Sequence, residues 1–364
     1  MNFRQFAVQA LVAVLLQFTF PIQARAADVG SLIPAGACNY DSHGPGLTPA
    51  RALSRPIEFP REGEKEITEG WVVLHFAVNR AGVPGNFEVI DSVGPAYFVQ
   101  TALNAIGKWR FAPAMRRGVT IDQDLYRFNI TFRFPGVNRL PDHSAFVDDH
   151  NRATHRLREN NPDEAIAILD KAMAQRVTLY EAARGSLLLA NAYVAKGLSV
   201  AALVHARRAL VGNGEFLEPR ILSSAYLMLM RLEASAGHHI RALCAYQDMK
   251  DVKLTPADAS AAALLVADIE RVLKGDAPIA TDIELSGVPG TNGLTTWRHD
   301  LVWRKFAITD LNGNVARFRL RCFATTFEQK VDPETEWSVP DDAGACVVAV
   351  EGSPGARFKF IESR

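Results

Sequence analysis

The 364-residue chain has no excess of charge of either sign: 40 Lys and Arg stand against 40 Asp and Glu. A neutral balance leaves no electrostatic footprint for nucleic acid or an anionic membrane surface. Runs of like charge are also missing, which argues against a charged disordered tail. Cysteine is sparse, with four residues, and no Cys-x-x-Cys pair occurs, so neither a zinc ribbon nor a thioredoxin-like site is expected. Catalytic signatures are lacking too. Ser186 follows Gly185 without a Gly-x-Ser-x-Gly elbow around it. There is no P-loop and no His-Glu-x-x-His helix. A hydrolase would need a nucleophile–base pair that the sequence does not display. The expectation is a protein that is not an enzyme and uses no cofactor.

Long apolar runs are confined to the N-terminus. Arg4 precedes a mostly apolar stretch from Phe6 to Phe20, interrupted by Gln9 and Gln17, and Ala24-Arg25-Ala26 follows. A positive start, a short apolar core and a small-x-small site are the pattern of a cleaved export signal over residues 1–26. The alternative is an anchor through residues 6–20, although a membrane span needs roughly 20 apolar residues. Cys38 follows Ala35-Gly36-Ala37 far beyond the apolar stretch, which is not a lipoprotein signal. Export makes disulfides possible. The four cysteines allow three pairings, of which Cys322–Cys346 is expected because both lie in or beside strands of one small β region. Cys244 is expected as a free buried thiol on a helix, and Cys38 lies in the lead-in.

The remainder divides into four stretches. Residues 27–55 carry Pro34, Gly36, Gly44-Pro45-Gly46 and Pro49, a linker composition. In 56–136, Val72, Leu74, Phe76 and Val78 alternate on one face of a strand, a turn follows at Asn79-Arg80-Ala81-Gly82, and Phe87 to Ile90 is a second strand. After Pro95, a helix places Phe98, Ala102, Ala105, Ile106 and Trp109 on one stripe. The last strand alternates Tyr126, Phe128, Ile130, Phe132 and Phe134 with Leu125, Arg127, Asn129, Thr131 and Arg133, predicting a sheet covered on one side only. The order is β-β-α-β.

Residues 143–275 are alanine-rich and helical, with an internal repeat. Leu189, Gly197, Ala202 and Ala209 find counterparts in Leu229, Gly237, Ala242 and Met249, and Ala165 and Ala172 come earlier. Small residues there, Gly197 and Ala202 included, are expected to let paired helices approach. The spacing resembles tetratricopeptide repeats and predicts three helix pairs plus a closing helix near 256–274. Residues 279–364 return to strands. Leu301–Thr309 and Val315–Cys322 flank Asp310-Leu311-Asn312-Gly313-Asn314, a hairpin signal, and short strands are expected at 336–339, 346–350 and 357–361. The fold class is α+β: a β-β-α-β domain, a central all-α repeat and a small C-terminal β domain.

The β-β-α-β stretch resembles the C-terminal domain of the TonB family. The residues that carry the resemblance are Phe59-Pro60, the strand Gly70 to Val78, Gly82, Val89-Ile90-Asp91-Ser92, Trp109-Arg110-Phe111-Ala112-Pro113-Ala114, Gly118 and the strand ending at Phe134. Energy transducers of that family keep an N-terminal anchor with a functional histidine and a long Pro-rich spacer. The apolar stretch here has no histidine, the lead-in is short, and the domain does not end the chain. The resemblance implies a protein of the periplasm that binds an extended segment of an outer-membrane transporter or another envelope protein. In the family a proton-driven inner-membrane complex is a further partner. The alternative role is a periplasmic scaffold in which the repeats recruit a protein.

The final strand is the candidate site: Tyr126, Arg127, Phe128, Asn129, Ile130, Thr131 and Phe132. It ends a β-β-α-β order, so it can lie at an edge with open backbone groups to which an extended peptide adds. Packing alone accounts for its apolar face. His238-His239 falls at a helix-pair turn with no third ligand spaced for a metal, so a surface or capping role is expected. Asp310-x-Asn312-x-Asn314 has its glycine at the wrong place for a calcium loop and no bidentate acid. No metal site is expected.

Overall fold

The computed structural model describes Ile33, Cys38 and residues 46–175, 177–287, 290 and 292–364. The expected signal segment and most of the lead-in lie outside the described residues. Helices and strands both contribute heavily, and the fold is α+β.

The first part contains β1 (Leu47–Thr48), β2 (Arg51–Ser54), α1 (Arg61–Glu66), β3 (Gly70–Val78), β4 (Pro84–Val93), α2 (Ala96–Lys108), β5 (Arg110–Ala112), β6 (Ala114–Arg116), β7 (Val119–Ile121) and β8 (Gln123–Phe132). β3, β4 and β8 form an antiparallel sheet in the order β4-β3-β8. The β3–β4 turn is built by Asn79, whose side-chain oxygen accepts the amides of Ala81 and Val83. Gly82 is obligatory there: φ is +73°, and a Cβ would sit 1.9 Å from the carbonyl oxygen of Phe111. α2 lays Phe98, Ala102 and Ile106 on the sheet, where they share a core with Val72, Leu74, Phe76, Val78, Trp109, Phe111, Ile130 and Phe132. The small pairings β2–β5 and β1–β6–β7 have too few residues to show a period in the sequence.

The expectation that this sheet is covered on one side only is wrong. Trp71 and Val73, on the other face of β3, are buried in one core with Leu179, Ala183, Leu217, Tyr226 and Met230 of the helical part. Leu125 on β8 is buried beside Ile240, Cys244, Ala345 and Val347. The polar back face of β8 is thus the exception on a sheet whose central strand is buried on both sides.

Seven helices follow: α3 (Ser144–Arg158), α4 (Pro162–Met173), α5 (Leu179–Ala195), α6 (Ser199–Ala209), α7 (Pro219–Ser235), α8 (His239–Asp248) and α9 (Pro256–Lys274). They run as three pairs and a last single helix. The three pair turns share one geometry. Asn160, Gly197 and Gly237 are left-handed, with φ of +57°, +72° and +76°. The next residue, Asn161, Leu198 or His238, donates its amide back to Arg156, Tyr193 or Glu233. This is the six-to-one bond of a Schellman cap, and it satisfies a helix-end carbonyl. Gly197 is therefore required by its backbone angle; nothing lies within 4 Å of a Cβ there, so the expected crowding does not apply. At Ala202 it does: the residue is fully buried with Ala190, Ala206 and Leu232. The start of α5 is fixed by a capping box between Thr178 and Glu181. The buried Glu69, just before β3, accepts the amides of Leu179 and Phe134 and ties the first part to α5.

The last part is a sandwich of two four-stranded antiparallel sheets. Its strands are β9 (Ile279–Glu284), β10 (Thr295–Asp300), β11 (Lys305–Asn312), β12 (Val315–Cys322), β13 (Thr326–Lys330), β14 (Glu336–Ser338), β15 (Cys346–Gly352) and β16 (Arg357–Ser363). The sheets are β14-β11-β16-β9 and β10-β15-β12-β13. The expected β11–β12 hairpin is not formed. The turn at Asp310–Asn314 carries the chain from one sheet to the other, because Phe306 and Ile308 face the same core as Phe318 and Leu320 from the opposite side. Asp310 is bonded to Lys359 on β16, 2.6 Å away.

Cys322 and Cys346 sit opposite one another on β12 and β15 and form a disulfide, as expected. Cys244 is not a free thiol. It is bonded to Cys38, so the lead-in is fastened to α8.

Candidate docking edge

β8 is held by β3 on one side, in a register that runs from Gly70 opposite Phe132 to Val78 opposite Gln123. The sheet order ends at β8. Among the described residues, no strand other than β3 pairs with the stretch Phe128–Phe132. The front side chains anchor it. Trp109 meets Phe128 edge-on at 5.0 Å, Phe98 stacks on Phe132 at 4.7 Å, and Phe76 stacks on Tyr126 at 5.0 Å. Such aromatic pairs add to the stabilisation from buried area. The Arg55 guanidinium lies over the Phe128 ring, 5.1 Å from its centre. Ile130 is buried, Thr131 is half-buried and Asn129 is exposed. Arg127 stands opposite His75 on β3. The seven residues singled out in the sequence thus form one continuous strand, and along its later part the outer side is paired by no other described strand, while Phe59 packs against Phe132 and Phe134.

The start of β8 is occupied. The Asp124 amide donates to the Phe323 carbonyl at 2.7 Å, so the β12–β13 turn sits on its outer side. The buried Gln123 side chain accepts the amide of Ala50 and donates to the carbonyl of Leu125.

The opposite edge strand, β4, is clamped by arginines from the other two parts. Arg208 of α6 holds Asp91 through two bonds of 2.9 and 2.7 Å. Glu88 faces Arg298 of β10 and Arg321 of β12, and Arg321 also donates to the Asn86 carbonyl at 2.6 Å. Bidentate, partly buried pairs of this kind are the stronger class of ion pair.

His238, expected in a surface or capping role, holds the N-cap position of α8, but its side chain makes no cap bond and is buried. It is 6% exposed and bonds Glu233 at 3.0 Å, and Glu233 in turn holds Arg207 through both carboxylate oxygens. Burial opposes ionisation of Glu233, but Arg207 and His238 outweigh it and hold its pKa at about 2. Burial also lowers the pKa of His238, against the pull of Glu233. Its ring lies 5.6 Å from that of His299, which bonds the buried Glu362 at 2.7 Å. This cluster joins the helices to the sandwich. A doublet read along the chain gave no sign of it, since its partners lie on other elements. His75 is held well below its usual pKa by burial, and then by Arg127, Arg241, Arg321 and Arg298. Among the described residues, no three His, Cys, Asp or Glu side chains are grouped to hold a metal ion.

Residues 55–134 match the family model for the Gram-negative bacterial TonB protein C-terminal. This stretch is a TonB-family domain. It makes up about a fifth of the chain, and in it β8 is the last strand. Among solved structures, a solution NMR structure of the Pseudomonas aeruginosa TonB C-terminal domain is similar over 24% of this chain and 90% of that one, with 22% identity and a TM-score of 0.21. No curated protein matches. Among the described residues, no helix is long and apolar enough to cross a membrane.

Proposed function

We propose that this is a non-enzymatic protein of the periplasm, and that its TonB-family domain captures an extended segment of an outer-membrane transporter by strand addition to β8. One observation carries the reading: β8 is the open edge of a TonB-family sheet whose other edge is clamped. Main-chain bonds at Phe128–Phe132 supply affinity, and the exposed Asn129 with its neighbour Thr131 supplies selectivity.

A second reading, a scaffold without an energy-transducing role, is favoured by the attachment of the lead-in. The Cys38–Cys244 bond fastens it to the helical part, so a pull from the N-terminus reaches α8 before it reaches β3. Cell fractionation with N-terminal sequencing of the mature chain separates the two. A mature chain that begins after Ala26 and fractionates free of membrane supports the scaffold. An intact, membrane-bound N-terminus supports transduction.

A further inference from the structure

We infer that the docking edge is closed at one end by the C-terminal sandwich, so that it accepts only a short strand whose chain ends or bends away at Phe323. This rests on the strand-addition reading above and specifies what kind of segment fits. The outer side of β8 already takes a backbone at its first open rung: the Asp124 amide bonds the Phe323 carbonyl. An edge that pairs with a backbone of its own chain is chemically competent to pair with another.

The blocking turn is rigidly placed. Phe323 is buried in the core of the TonB-family domain, its amide donates to Ala345, and Ala324 donates to Ala343. The adjoining Cys322–Cys346 bond and the Arg116–Asp342 pair fasten the same corner. At the other end the ladder with β3 stops at Phe132, and the Phe134 amide is taken by Glu69. Between the two lies Phe128–Phe132. Five residues at about 3.3 Å each give room for a strand of roughly five residues. A longer uninterrupted strand would run into the β12–β13 turn. The fitting partner is therefore a short β-forming segment flanked on that side by a chain terminus, proline or glycine, which cannot continue the ladder.

The test is hydrogen exchange of the full chain with capped alternating Val-Thr peptides of five and nine residues. Both peptides should slow exchange within residues 128–132 and leave Asp124 and residues 323–326 unchanged, and the nine-residue peptide should bind within threefold of the five-residue one. Tenfold tighter binding of the longer peptide, with altered exchange at 323–326, would show that the strand displaces the turn and would overturn the inference. Slowed exchange at 128–132 in a dimer without peptide would overturn it as well, since a second copy would then be the occupant. If neither peptide protects β8, it is strand addition itself that fails.

Discussion

Cys38 and Cys244 are joined across 206 positions of sequence, which fastens the lead-in to α8 beside Leu125 of β8. A loop of that length corresponds to about 5 kcal/mol in the chain-entropy model, against about 3 kcal/mol for Cys322–Cys346. The double variant Cys38→Ala/Cys244→Ala should therefore lose more stability in urea than Cys322→Ala/Cys346→Ala. Equal losses, or an alkylated Cys244 in the untreated protein, would contradict the pairing.

Ala202 and Gly197 should respond differently to enlargement. Ala202→Leu overpacks a closed core and should cost about 1–3 kcal/mol. Gly197→Ala meets no neighbour but must hold φ at +72°, which costs about 1–2 kcal/mol. Gly197→Asn should recover part of that, because asparagine tolerates the left-handed region. Denaturant melts of the three variants read this directly.

The clamp on β4 should matter more than a surface ion pair. Asp91→Asn keeps the shape but removes the charge facing Arg208, at an expected cost of about 1–2 kcal/mol, above the typical surface pair. A change of less than 0.5 kcal/mol, on the order of an exposed pair, would mean that the first part is not held by this contact.

Stability should fall on mild acidification. Burial lowers the pKa of His75, His238 and His239, and that of His205 to about 4. A histidine whose folded pKa lies below its unfolded value is neutral in both states at high pH. As pH drops below about 6.5 the unfolded chain binds the proton first, and stability declines until the folded pKa is reached, by at most about 1.4 kcal/mol per pH unit and group. Glu233, held at about 2, acts in a lower window: its contribution is full above the ordinary carboxylate range and is lost only as pH falls towards 2. Urea midpoints between pH 7 and 4 should decline, and His205→Gln should flatten part of the slope. A flat profile would contradict buried neutral histidines.

Some of this organisation was legible in the chain. β8 declares itself by strict alternation, and the paired helices by small residues at repeated offsets. The covered back of the sheet was also visible in principle: Gly70–Val78 is apolar on both faces, with Trp71 and Val73 between Val72 and Leu74, which is how a strand buried on both sides reads. Other features are set by distant partners. The Asn312-Gly313 turn has the same local chemistry whether it closes a hairpin or crosses between sheets. No spacing links Cys38 to Cys244, or His238 to His299.

Strand addition at β8 is tested most directly by cross-linking. The described cysteines are all paired, so a cysteine at the exposed Asn129 offers a single new thiol there. Asn129→Cys protein would be mixed, under a mild thiol oxidant, with cysteine-bearing peptides copied from periplasm-facing segments of outer-membrane transporters, with Gly107→Cys on α2 as the control. The account predicts a disulfide-linked adduct at position 129, at one preferred peptide position, and little at position 107. Equal adducts at both positions, or capture at parental strength by a folded Asn129→Pro protein, would show that β8 is not the docking edge.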